Sequence, residues 1–209
     1  MMRDAAVALI LYLSYLAVAF GLRTWLLYRQ TGITGYNGPS GSVGSSGWSS
    51  GVLFIVALLL GLVAPLLQLL GAIEPIEVLH NAAVRYIAFA LTLSGATATL
   101  VAQHAMGQHW RVGVNDDEFT GLVRSGLFAI VRNPFFSALL ATAAGLALLT
   151  PNLLAVAAFA ALFVAIELQV RAVEEPHLQT MHGDVYQDYA QKVGRFIPGV
   201  GRLRSNSSR

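Results

Sequence analysis

The sequence predicts an all-α integral membrane protein with five transmembrane helices. The last two form a tight helical hairpin, followed by a short cytoplasmic C-terminal helical segment. Three observations carry this reading. Of 209 residues, 56% are hydrophobic and only 11% charged, and the mean hydropathy is +0.62, against about 25% charged in an ordinary soluble domain. Apolar runs recur that meet the roughly 20 residues a bilayer crossing needs. Arginine and lysine fall very unevenly between the two sets of loops that alternate crossing produces.

Taken in order, the first three spans lie near 5–27, 50–73 and 83–106. Arg3, the apolar run after it and Ala17-Val18-Ala19 also fit a signal peptide with a small-residue cleavage site. Asp4 cancels the basic flank, however, and the run continues through Leu27, which favours a retained helix. Trp25 and Tyr28 then sit where amphipathic rings anchor a helix at the membrane boundary. Residues 31–51, rich in Gly and Ser and almost uncharged, form a flexible connection, read as a linker or a flap.

The stretch from Pro134 to Val170 is too long for one span and is broken by Thr150-Pro151-Asn152. Proline suits the first turn of a helix and disrupts its interior, so Pro134 and Pro151 each read as the start of a helix, giving a hairpin over 134–170. Its first arm, at about 1.5 Å per residue, is roughly 24 Å long and a little short for the hydrocarbon core. The chain thus divides into residues 1–106, with three spans, and 107–209, which holds the hairpin and the polar tail.

With five spans, eleven of the thirteen Lys and Arg residues share a side with the C-terminus and two share the other. An excess of positive charge marks cytoplasmic loops, so the sequence places the protein in the inner (plasma) membrane with its C-terminus in the cytoplasm. The absence of cysteine excludes disulfides, thiolate nucleophiles, Cys-ligated zinc and iron–sulfur clusters. No dense basic run of the kind that tracks a nucleic acid is present.

Polar chemistry is concentrated in the last third of the chain, at one membrane face. Glu167, Arg171 and Glu174, spaced i, i+4, i+7, share one face of an α-helix. A charge at the membrane boundary is costly unless paired or used. The cluster is therefore either an ion pair closing the helix or a ligand site. His104 and His109 suggest a metal only weakly, since spacing specifies no third ligand, and none is expected. Tyr186 and Tyr189, three residues apart, read as packing or as a ligand platform.

Together, Gly107-Gln108-His109-Trp110, the 122–128 run, Arg132-Asn133-Pro134, Glu174-Glu175, His182-Gly183 with Tyr186 and Tyr189, and Arg195-Phe196-Ile197-Pro198 resemble the isoprenylcysteine carboxyl methyltransferase family over about residues 95–200. Asn133-Pro134 and Glu174-Glu175-Pro176 are also similar to the more distant phospholipid N-methyltransferases. Two positions depart from the carboxyl methyltransferase pattern. Asn133 stands where those enzymes usually have His, and Pro176 follows the glutamate pair.

The resemblance implies S-adenosylmethionine as methyl donor, bound at the cytoplasmic face, and a lipophilic acceptor that arrives from the bilayer. It implies Glu174 and Glu175 as ligands of the donor, with His104, His109, Trp110, Arg132, Asn133, Pro134, His182, Tyr186 and Tyr189 as further walls and Arg195 for its carboxylate. Glu167 and Arg171, nearer the membrane, are the candidates for orienting the acceptor. An isoprenylcysteine-type carboxylate, a lipid amine and a small thiol all remain open as acceptors. A non-catalytic scaffold or transporter subunit is the rival from another class, although the first three helices lack the mid-depth ionisable residues of a proton relay. Oligomeric state stays open. Gly61, Gly95 and Gly145 permit close helix approach without forming a Gly-x-x-x-Gly pair.

Overall fold

The computed structural model describes residues 2–34, 38, 41–107 and 121–204, and among these it is helical with no β-strand. Helix α1 runs Met2–Thr31, α2 Ser46–Leu69, α3 Ala82–Met106, α4 Pro134–Leu149, α5 Leu153–Gln169 and α6 Glu175–Lys192. Four helical stretches are long and apolar enough to cross a membrane: α1, α2, α3 and the continuous run Leu153–Lys192. Helix α4, also apolar, has 16 residues.

Local chemistry sets the helix starts. Ser45, Asn81 and Asn152 cap α2, α3 and α5, each accepting from a backbone N–H in the first turn, which satisfies donors that a helix start otherwise leaves open. Pro134 begins α4 as expected. Pro151 does not begin α5; it lies in the turn, its carbonyl accepts from Ile76 N–H at 2.5 Å, and Asn152 takes the capping role. Asn152 also donates to the side chain of Gln68 at 2.8 Å, so the α4–α5 turn is fastened to the end of α2.

Helix α4 packs chiefly on α3, and α5 chiefly on α2. The α3–α4 contact is close because both sides are small. A Cβ on Gly95 would collide with Thr142, and one on Gly145 would collide with Thr92 and Ala88. Hydroxyls of Thr92 and Thr142 bond back to their own helices, through Ala88 and Ala138, so the backbones can approach without stranding a polar group.

Two wide π-helical turns interrupt this regularity, at Ala17–Leu22 in α1 and Val170–Glu174 between α5 and α6. Within the first, the Ala19 carbonyl accepts from the buried Gln103 amide at 2.6 Å, and Arg23 donates to the Gly107 carbonyl that ends α3. The C-terminal helical segment is α6, which continues α5 through the second π turn.

Candidate functional site

The site lies at the end of the bundle where α4 begins and α5 finishes. Arg132, just before α4, is brought against the tail by a short backbone pairing: Arg132 N–H donates to Gly194 O at 2.8 Å and Asn133 N–H to Arg195 O at 3.1 Å. Gly194 is required there, since an added Cβ would collide with the carbonyls of Ile197 and Val200 and with the Gly199 amide. Ser137, one turn into α4, donates to Phe196 O at 2.7 Å.

This pairing assembles a buried Arg132–Glu175–Arg195 cluster. Arg132 Nη2 donates to Glu175 Oε1 at 2.6 Å. From the other side, Arg195 donates through Nε to Oε1 at 2.7 Å and through Nη2 to Oε2 at 2.9 Å. All three residues are less than a tenth exposed. The hydrogen-bonded Glu175 carboxylate holds the Arg195 guanidinium pKa above its ordinary value, with burial partly offsetting. Two guanidinium groups share one carboxylate, so the cluster keeps one positive charge. Arg132 spends its remaining reach on backbone carbonyls, donating to Ala190 at 2.6 Å, Val193 at 3.0 Å and Gly201 at 3.1 Å. Those at Ala190 and Val193 belong to the C-terminal end of α6, where a cation is favoured by unpaired carbonyls.

One guanidinium therefore touches both ends of α6. In a straight helix Glu175 and Ala190 would stand about 22 Å apart. Gly183 resolves the conflict: with φ 50° and ψ −129° it interrupts α6, and the two halves converge on Arg132. Positive φ favours glycine, which gives the His182-Gly183 motif a structural reason. Beneath the corner, Tyr186 and Tyr189 are buried with rings 6.3 Å apart, edge to face. The Tyr189 hydroxyl donates to Phe128 O at 2.6 Å.

The remaining expected residues divide around this centre. Glu174, half-buried, bonds to neither arginine and neighbours Gln169. Gln169 in turn accepts from Ser50 of α2 at 2.8 Å. Glu167 and Arg171 form an i, i+4 ion pair in which Arg171 is exposed. The expected common face with Glu174 is not kept, because the π turn at 170–174 breaks the α-helical phase. His104 is exposed on the last turn of α3 and takes no part in the cluster. Pro134 is buried at the start of α4, while His109 and Trp110 lie outside the described residues.

Sequence reasoning missed the contributions of Ser50, Gln103 and Gln169. Their signal was a polar side chain set within or at the edge of an apolar helix, which demands a partner.

These features define a class: a multi-pass helical membrane protein whose polar groups gather at one end of the bundle around a buried arginine–glutamate–arginine cluster. Residues 84–185 match the family model of the phospholipid methyltransferases, and over that region the chain is similar to this family of membrane methyltransferases. The matched region contains Arg132, Glu174, Glu175 and Gly183 and stops just short of Tyr186. No curated protein and no solved structure matches the chain.

Proposed function

We propose that the protein transfers a methyl group from S-adenosylmethionine to the head group of a lipid at the cytoplasmic membrane face, with a lipid amine as the leading acceptor. The observation that carries this reading is the phospholipid methyltransferase match over 84–185, which includes Arg132 and the Glu174-Glu175 pair. Asn133, standing where the carboxyl methyltransferases usually have His, also favours the amine.

Methyl transfer from a sulfonium is an in-line displacement, and positioning supplies much of its rate. The sulfonium charge vanishes as the methyl group leaves, so an apolar surround does not oppose the step. In this reading the two glutamates differ. Glu175 is committed to Arg132 and Arg195 and fixes the wall of the donor site. Glu174, held by neither arginine, is the carboxylate for the donor's ribose or amino group. The residual positive charge of the cluster suits the donor's carboxylate. Glu167 and Arg171, nearer the membrane than the Glu174–Glu175 pair, face the acceptor head group.

A protonated amine must lose its proton before attack, whereas a carboxylate needs no base. Transfer to a prenylated cysteine carboxylate is the second reading, favoured by the Arg195-Phe196-Ile197-Pro198 segment. Radiolabelled S-adenosylmethionine should bind the detergent-purified protein, and label should then pass to phosphatidylethanolamine in preference to a farnesylated cysteine or an alkyl thiol. A protein that binds no donor would overturn the enzymatic reading. One that labels only the cysteine carboxylate would move the assignment to the second reading.

A further inference from the structure

Helices α1 and α3 are fastened at both ends and, between them, by the Tyr15–Thr99 hydrogen bond, beside which they part. At the site end Gln103 bonds to Ala19 O and Arg23 to Gly107 O. At the opposite end Arg85 lies 3.8 Å from Asp4. Between these ties runs a lateral cleft of about 200 Å³, with walls that include Leu11, Val18, Leu93, Ala96 and Leu100. Of its hydroxyl-bearing lining residues, Thr92 bonds to Ala88 O and Tyr15 to Thr99 at 3.1 Å, while Ser14 is exposed. The exposed wall is otherwise almost wholly apolar.

Tyr15 has a second face. The same ring lines a separate cavity of about 60 Å³ among α1, α2, α4 and α5, walled by Tyr12, Ala57, Gly61, Leu139 and Leu162. Tyr15 therefore forms a wall common to both spaces. It is followed at once by the π turn of α1 and packs edge to face on Phe20, which packs on Phe135 in the first turn of α4.

We propose that the α1–α3 cleft binds one acyl chain of the phospholipid acceptor, with Tyr15 as the movable wall through which the chain end reaches the inner cavity. This rests on the lipid methyltransferase reading given above. An apolar cavity of about 150 Å³ stays dry and takes up a benzene-sized guest, so a larger apolar cleft is suited to hydrocarbon rather than water. The geometry fits a chain hanging from a head group at the site. From Leu11 to Ala19 the cleft spans about 12 Å of helix, and from Ala19 the level of Arg23 is about 6 Å further.

The test uses the full-length protein in phosphatidylcholine liposomes doped with phosphatidylethanolamine carrying a diazirine at the end of one acyl chain. Photolabelling should concentrate in the peptides spanning Leu11–Ala19 and Thr92–Leu100. Leu100→Trp, at an exposed rim position, and Ala96→Trp, within the cleft, should each cut that label about tenfold. Both should also raise the KM for the lipid and leave S-adenosylmethionine affinity unchanged. Tyr15→Phe, which keeps the ring and loses the tether to Thr99, should extend labelling to Ala57 and Gly61.

Labelling spread evenly over lipid-facing positions such as Ile55, Leu59 and Phe163 would overturn the cleft. Failure of Tyr15→Phe to change the pattern would overturn the movable wall. Labelling needs no turnover: focused label without methyl transfer refutes the enzymatic reading alone, and transfer with unfocused label refutes the cleft alone.

Discussion

At the scale of the residue, Glu175 separates structural from chemical demand. Adjacent carboxylates look equivalent in the sequence, yet Glu175 accepts from Arg132 and Arg195 while Glu174 bonds to neither. Pairing of this kind depends on which of thirteen basic residues folds back onto which acid, and no local spacing encodes it. Arg132 and Arg195 are 63 positions apart. Replacing Glu175 by Leu would leave two buried guanidinium groups facing each other, and breaking a buried pair costs about 3–5 kcal/mol. Thermal unfolding in detergent should show a large drop for Glu175→Leu and a partial recovery in the double variant with Arg195→Met. An unchanged midpoint would mean that the cluster is not a structural lock.

Elements show where the sequence could be read and where it could not. Apolar runs and the prolines at 134 and 151 placed α1 to α5 within a few positions, because hydrophobicity and the backbone limits of proline act locally. The break of α6 at Gly183 could not be placed, since it is tied to the convergence of distant groups on Arg132, and no local spacing marks the π turn at 170–174. Gly183 tests that account. A side chain there meets no neighbour within 4 Å, so Gly183→Ala should act through its backbone conformation alone, at a cost of about 1–3 kcal/mol. Gly21→Ala, at a negative-φ helical position with only ordinary contact, is the control and should be neutral or stabilising. Circular dichroism melts should separate the two; equal midpoints would refute the corner.

Across the whole molecule, the helix ends fall into two groups. Asp4, His80 and the Pro151 turn gather at one end, while Arg23, Arg132 and Arg195 gather with the site at the other. Charge asymmetry sets which end faces the cytoplasm, and the cysteine-free chain allows a direct check. Val78→Cys, on a residue 81% exposed, should react with an impermeant maleimide in intact cells. Arg202→Cys should react only after permeabilisation, and the reverse pattern would invert the topology.

The Arg132–Glu175–Arg195 cluster also has a consequence for biogenesis. During synthesis Arg132 and Glu175 leave the ribosome before Arg195 does, and Gly194, which receives the Arg132 amide, is almost as late. Earlier helices can insert and pair while the polar end stays open, its charges hydrated at the interface. Closure waits for Gly194 and Arg195, so the site forms after the helices that carry its other members. A defect in the closing residues would leave an inserted bundle with an unsealed end, visible to membrane quality control as excess proteolysis and not as failed insertion.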